Sequence, residues 1–246
     1  MIKSDNISDY KKHTTDPDHK LDNRNATTNS DTRLENRKLR LAILGAGGIA
    51  RKMAETVNRM EEVELYAVAS RTEEKARQFA DTYHASRWYG SYEEMVADDG
   101  IDLVYVATPH SHHKEHTMLC LNYNRAVLCE KAFAVNTKEA EDMIRLAKEK
   151  NILLAEAMWV RYMPMSFTLK EIIDSDVIGK ITGLTANLGY SLMQVERLIR
   201  PELAGGALLD LAPYTLNFAT WVLGDNVSTI HTTMTPHESG VDKTEF

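Results

Sequence analysis

The segment Leu41-Ala42-Ile43-Leu44-Gly45-Ala46-Gly47-Gly48-Ile49-Ala50 constrains the fold more than any other stretch of the chain. A short apolar run ends in glycines, and a helix-like segment follows. The spacing Gly45-x-Gly47-x-x-Ala50 suits a strand that turns sharply into a helix. Gly45 permits the turn, Gly47 leaves the backbone open to a pyrophosphate, and Ala50 lets the helix lie close to the sheet. The free N–H groups of Gly48, Ile49 and Ala50 and the positive end of the helix dipole then face the phosphates. Glycines also make ordinary turns, so the pattern counts only with the strand before it and the strand–helix alternation after it.

That alternation is regular from Leu39 onward. Strands are expected at Leu39–Gly45, Glu64–Ser70, Trp88-Tyr89, Asp102–Thr108, Ala126–Glu130 and Ile152–Ala157. Helices are expected between them, at Gly48–Met60, Thr72–His84, Ser91–Asp98, His112–Asn122 and Thr137–Lys150. Thr72 is a natural N-cap with an incomplete capping box, because Lys75 stands where the acid would be. Ala140, Met143, Ile144 and Ala147 form a helical stripe. The order predicts an α/β fold, a doubly wound parallel sheet with helices on both faces. Beyond Trp159 the pattern changes to an incomplete α+β domain with an open, mostly antiparallel sheet. Its expected parts are a helix over Met163–Ser175, a strand over Lys180–Tyr190, a helix opened by the segment Gly205–Tyr214, with Pro213 in its early turns, and running to Leu223, and a strand over Val227–Met234. The resulting division is a disordered polar tail at 1–38, a dinucleotide-binding domain at 39–158 and a partial substrate or dimerisation domain at 159–246. The tail is rich in Asp, Asn, Thr, Lys and Arg and cannot bury enough apolar surface to offset its ordering entropy.

Composition excludes several classes of function. With 29 Lys and Arg against 36 Asp and Glu, the net charge is −7 and no basic stripe faces a nucleic acid. No apolar run reaches membrane-spanning length, and the N-terminus lacks the apolar core of a secretory signal, so a soluble cytoplasmic protein is expected. Cys120 and Cys129 lie in apolar segments and are expected as buried free thiols.

Ligands of a parallel sheet sit at the carboxyl ends of its strands. Gly45, Ser70, Arg71, Thr108, Pro109, His110, Glu130, Lys131 and Glu156 fall there. An acid after the second strand suits a ribose 2′-OH, whereas an arginine suits a 2′-phosphate. This chain has Ser70-Arg71, so NADP is expected before NAD, unless Arg71 is only a solvated helix-start residue. The Glu130-Lys131 pair is either a surface ion pair of little worth or a buried pair in which the lysine donates to a substrate oxygen. The cluster His110-Ser111-His112-His113-Lys114-Glu115-His116 invites a zinc reading, but only His112 and His116 share a helix face and convergence is lacking. No metal is expected. Those histidines either line the nicotinamide side of the cleft or are solvated at a helix start. Asp210 and Tyr214, four residues apart, share a face if the segment is helical, and Gly205-Gly206 just before them permits close backbone approach. Tyr214 is either a general acid/base beside a lysine and a carboxylate or a half-buried tyrosine bonded to Asp210.

These residues, taken in order, resemble the Gfo/Idh/MocA (glucose–fructose oxidoreductase / inositol dehydrogenase) family. The resemblance rests on Gly45 to Ala50, on Ala107-Thr108-Pro109-His110-Ser111-His112-His113, on Cys129-Glu130-Lys131-Ala132 and on Gly205-Gly206-Ala207-Leu208-Leu209-Asp210. Glu156-Ala157-Met158-Trp159-Val160-Arg161-Tyr162, with Tyr214 after Asp210, is most similar to its dimeric dihydrodiol dehydrogenase / NADP-dependent D-xylose dehydrogenase branch. The resemblance implies hydride transfer between NADP, or NAD, and a carbinol of a sugar or related cyclic alcohol or diol. It implies that Lys131 sits by the nicotinamide, that Tyr214 is the catalytic tyrosine supported by Asp210, and that Trp159, Arg161 and Tyr214 line the substrate pocket. It extends the cofactor set to Thr108, Pro109, His110, His113 and Glu130. The family motif is Glu-Lys-Pro, whereas here Ala132 follows the lysine, where a cis bond is costly. The family's open sheet also forms its homodimer face and continues past the position of Phe246, so the chain reads as C-terminally truncated, which argues against the dimer. The other reading is accordingly a truncated, non-catalytic nucleotide-binding or interaction protein.

Overall fold

The computed structural model describes residues 37–192 and 194–245. The polar tail expected over residues 1–38 lies, as far as residue 36, outside the described residues.

Strand β1 (Leu39–Leu44) enters helix α1 (Gly48–Val57), and the alternation continues through β2 (Val63–Ala69), α2 (Glu73–Tyr83), β3 (Arg87–Tyr89), α3 (Tyr92–Val96) and β4 (Leu103–Val106). A 3-10 turn at His110–His112 leads into α4 (His113–Asn122), then β5 (Ala126–Cys129), α5 (Thr137–Lys150) and β6 (Leu154–Glu156). The six strands form one sheet in the order β3-β2-β1-β4-β5-β6, every pair parallel. β1 lies at its centre, with Leu41 opposite Leu103 and Leu44 opposite Val106. The strand order reverses beside β1, which opens a crevice at the carboxyl ends there.

Alternate residues of a strand point to opposite faces, and here both faces are covered. Leu41 and Ile43 pack with Ala50, Ala54, Val57, Phe79 and Ala80 of α1 and α2. Ala42 and Leu44 pack on the other side with Met95, Cys120, Leu121 and Met143 of α3, α4 and α5. Both cysteines are free and buried. Helix α5 shows the local logic: Asn136 caps it by accepting from Glu139 N at 3.0 Å, and Asn151 ends it in the left-handed region at φ 52°. Of its expected stripe, Met143 and Ala147 are buried, whereas Ile144 is exposed. Thr72 occupies the N-cap position of α2 without a side-chain bond.

The second half departs from expectation in three places. After α6 (Pro164–Asp174), residues 180–190 have no regular secondary structure, because among the described residues no strand pairs with them. The expected long helix is two: α7 (Ala207–Asp210) and α8 (Ala212–Leu223), separated at Leu211. Pro213 has no N–H for the carbonyl of Leu209, so it opens a new helix instead of continuing the old one. The expected last strand at Val227–Met234 is replaced by β7 (Met234–Pro236), which pairs antiparallel with β8 (Asp242–Glu245).

Candidate active site

β1 delivers Gly45 at φ +102°, a backbone region that side chains strain. A Cβ there would lie 2.9 Å from Thr108 Cγ2 and 3.1 Å from the carbonyl oxygen of Ala107, so the chain closes tightly onto the end of β4. Gly47 is the N-cap of α1 and offers no side-chain acceptor, and the first turn holds no acidic residue. A Cβ on Gly48 would meet nothing within 4 Å, so the helix N-terminus faces open space. Its first amides have no intrahelical partner, and Ala50 lies fully buried against the sheet. An open, uncapped, uncharged N-terminus is what a pyrophosphate requires, and these residues fit a dinucleotide.

The neighbouring strand ends carry the other expected contacts. Ser70 is buried and its N–H donates to Tyr89 O at 3.2 Å, whereas Arg71 is exposed. Burial pushes the Tyr92 phenol up, and the nearby Arg71 charge opposes that push. Three histidines of the cluster are pins. His110 Nδ1 donates to Ala204 O at 3.0 Å, across 94 residues of chain. His113 lies between Ala132 O at 2.7 Å and Thr108 O at 2.9 Å, and His116 Nδ1 meets Thr108 Oγ1 at 2.9 Å. Burial pushes His110 and His116 down to about 4 and lowers His113 as well. Among the described residues, no three His, Cys, Asp or Glu side chains gather as a metal site.

Just past β5, Glu130 is buried and braced. Its carboxyl accepts from the Tyr105 hydroxyl and from Lys131 N at 3.1 Å. Burial raises it, against the bonds from Tyr105 and Lys131 and the Lys131 charge. The Lys131–Ala132 peptide is cis although Ala132 is not proline. Glu156, at the end of β6, accepts from Phe133 N at 3.1 Å and so fixes the far side of this loop.

Lys131 reaches into the second half of the chain. Its Nζ donates to Asp210 O at 2.6 Å and lies 3.3 Å from Asp210 Oδ1. It also stands 4.9 Å above the centre of the Tyr214 ring. Asp210 is 5% exposed, and Arg197 approaches the same Oδ1 at 3.0 Å. Burial would raise that carboxyl; the Lys131 and Arg197 charges outweigh it and hold it below the usual carboxylate range. The Tyr214 hydroxyl accepts from Trp159 Nε1 at 3.1 Å, and Arg161 donates to Asn217 at 2.9 Å. Of the residues singled out from sequence, Lys131, Asp210, Tyr214 and Trp159 therefore meet in one cluster. Asp210 grips the lysine, while the tyrosine hydroxyl is held by the tryptophan. Sequence reasoning missed Arg197, which sits in a 3-10 helix of three residues (Glu196–Leu198), too short for a periodic signal, and Tyr105, whose strand gives no hint of a carboxyl partner 25 residues on.

A strand order of 3-2-1-4-5-6 with a glycine loop after β1 defines a dinucleotide-binding Rossmann protein. Residues 39–158 match the family model described as "Oxidoreductase family, NAD-binding Rossmann fold". Residues 167–245 match the "GFO/IDH/MocA C-terminal domain". The chain belongs to the Gfo/Idh/MocA oxidoreductase family. It is 35% identical over 208 residues to a trans-1,2-dihydrobenzene-1,2-diol dehydrogenase from Danio rerio, covering 83% of this chain and 62% of that relative. It is 40% identical over 206 residues to a D-xylose 1-dehydrogenase (NADP(+)) from Hypocrea jecorina, covering 75% of this chain and 52% of that one. The chain thus spans less than two thirds of the length of these relatives. In fold it matches a 3-ketoreductase from Actinomadura kijaniata crystallised with NADP and TDP-benzene, with TM-score 0.75, 24% identity and 84% and 64% of the two chains covered. Among the described residues no helix is long and apolar enough to cross a membrane.

Proposed function

We propose that this chain is an NADP-preferring oxidoreductase that acts on a carbinol of a sugar or related cyclic alcohol or diol. Residues 39–158 hold the dinucleotide, and residues from 159 onward bring the substrate-side groups. The observation that carries the reading is the Lys131–Asp210–Tyr214 cluster, built at a strand end from segments 79 residues apart.

When bound, the nicotinamide supplies or accepts the hydride. The amides at the start of α1 and the cradle of Gly45, Gly47 and Gly48 bind the pyrophosphate, and Ser70 and Arg71 meet the ribose and its 2′-phosphate. Thr108, Pro109, His110, His113 and Glu130 border the nicotinamide and hold the Lys131 loop. The Lys131 ammonium offsets negative charge on the reacting oxygen, and the Tyr214 hydroxyl gives a proton to that oxygen in reduction and takes one in oxidation. Trp159 orients the hydroxyl, and Arg161 borders the substrate. The names of the two relatives support a diol or an aldose as substrate.

Purified chain is titrated with NADPH and NADH while fluorescence and melting temperature are followed, then assayed with D-xylose and with cyclic trans-diols. Micromolar NADPH binding with turnover of either substrate class supports the proposal. Binding without any turnover favours the non-catalytic reading, and no binding of either dinucleotide sinks the oxidoreductase proposal.

A further inference from the structure

The Gly205-Gly206 pair ahead of Asp210 is pinned from two sides. A Cβ on Gly205 would lie 2.5 Å from Leu198 O, and Gly206 N donates to the same carbonyl at 2.9 Å. Gly206 itself sits at φ +107°, and a Cβ there would collide with the Asp242 carboxylate. That carboxylate arrives from β8, 36 residues downstream. Its Oδ2 accepts from Leu208 N at 2.5 Å.

Leu208 is the second residue of α7, which has four residues, no side-chain cap of its own, and Asp210 as its last residue. So short a helix does not sustain itself, and its leading amides need an outside acceptor. A carboxylate on such an amide is a charge-assisted bond. Both bonds of Lys131 Nζ run to Asp210, one to its backbone and one to its side chain. Anything that moves α7 therefore moves both anchors of the lysine at once. We propose that Asp242 is a positioning residue: it caps α7 from β8 and so fixes where Asp210 holds Lys131. The inference rests on the oxidoreductase reading for its kinetic consequence and on geometry alone for its structural one.

The test compares wild type, Asp242→Ala and Asp242→Asn, which keeps an oxygen for Leu208 N. Lys131 is labelled with acetic anhydride and followed by mass spectrometry. Kinetics and NADPH affinity are measured on the same samples. In D242A, Lys131 labelling should rise and kcat fall by about tenfold each, the size of one lost cap, with KM and NADPH affinity changed less than about twofold. D242N should stay close to wild type on every readout. Unchanged labelling in D242A, or equal behaviour of D242A and D242N, overturns the proposal. If D242A does not fold, hydrogen exchange at the Leu208 amide of the wild-type chain decides: protection supports the cap, and exchange at the rate of an open loop overturns it. A wild type without turnover sinks the oxidoreductase reading and leaves the labelling and exchange results to judge Asp242.

Discussion

Lys131 Nζ and Asp210 meet twice, through the backbone carbonyl at 2.6 Å and the carboxylate at 3.3 Å, and Arg197 shares that carboxylate at 3.0 Å. One buried anion therefore serves two cations from different segments. Removing it leaves the ammonium and guanidinium facing each other with no counter-charge. Breaking a buried ion pair by deleting one partner costs about 3–5 kcal/mol, and the partial exposure of Arg197 places Asp210→Ala near about 3. Denaturant unfolding of wild type and D210A checks this. A loss below about 1 kcal/mol would show that solvent already screens the cluster.

Tyr214 presents its hydroxyl to Trp159 and its ring face to Lys131. Tyr214→Phe keeps the ring, and hence the lysine's contact, while removing the proton. kcat should fall by about 10²–10⁴ with little change in NADPH affinity. Steady-state kinetics beside a binding titration separates the two effects, and undiminished turnover would remove the tyrosine from the proton path.

Arg71 is exposed at the end of β2 and lies near Tyr92. Arg71→Ala should weaken NADPH binding by at least about tenfold more than NADH binding, since a charge-assisted contact to phosphate is worth about 1.5–3 kcal/mol. Equal losses for the two dinucleotides would show that Arg71 does not read the 2′-phosphate.

Gly45 combines a positive φ with a wall made by Ala107 and Thr108. Gly45→Val should strain the backbone by about 1–3 kcal/mol and push the loop into the pyrophosphate space. NADPH binding should be lost at concentrations that saturate wild type, with a lower melting temperature. Retained binding would place the phosphates elsewhere.

The buried histidines make stability depend on pH. His110 and His116 titrate near 4 in the folded chain and near the ordinary 6.5 when unfolded. The unfolded state thus binds more protons between those values, and the stability present above pH 6.5 is lost as pH falls through 4. Going from pH 7 to pH 5 should cost about 2 kcal/mol for each histidine. Asp210 is lowered instead from the carboxylate range, so its contribution holds at pH 5 and disappears only below about pH 4. Melting temperature measured from pH 8 to pH 4 should start to decline below about pH 6.5, and His116→Asn should flatten part of that decline. A flat profile down to pH 5 would mean that the histidines are not buried neutral.

How much of this was legible beforehand follows from the range of the interactions involved. The glycine spacing, the alternation of apolar runs with helical segments and the stripe of Ala140, Met143, Ile144 and Ala147 are local signals, and they led directly to the parallel sheet and to α5. The strand expected at 180–190 failed because a Thr- and Leu-containing composition describes only local preference, and a strand also needs a neighbour to complete its ladder. The long helix divides at Leu211 because Pro213, which has no N–H to continue the first helix, sits in the opening turn of a second.

At the site, the residue types were readable and their pairings were not. The sequence by itself determined that a dinucleotide-type loop follows β1 and that Lys131 stands at a strand end, whereas the shared helix face expected for Asp210 and Tyr214 is divided between α7 and α8. Only the tertiary structure decided that Asp210 grips Lys131 and Arg197, that Trp159 takes the tyrosine hydroxyl, and that Asp242 reaches back to cap α7. The reason is physical. Turns, caps and amphipathic faces are set by neighbours a few residues apart, whereas these partners lie 13 to 79 residues apart and meet only because the sheet order and the packing of the two halves close the intervening chain.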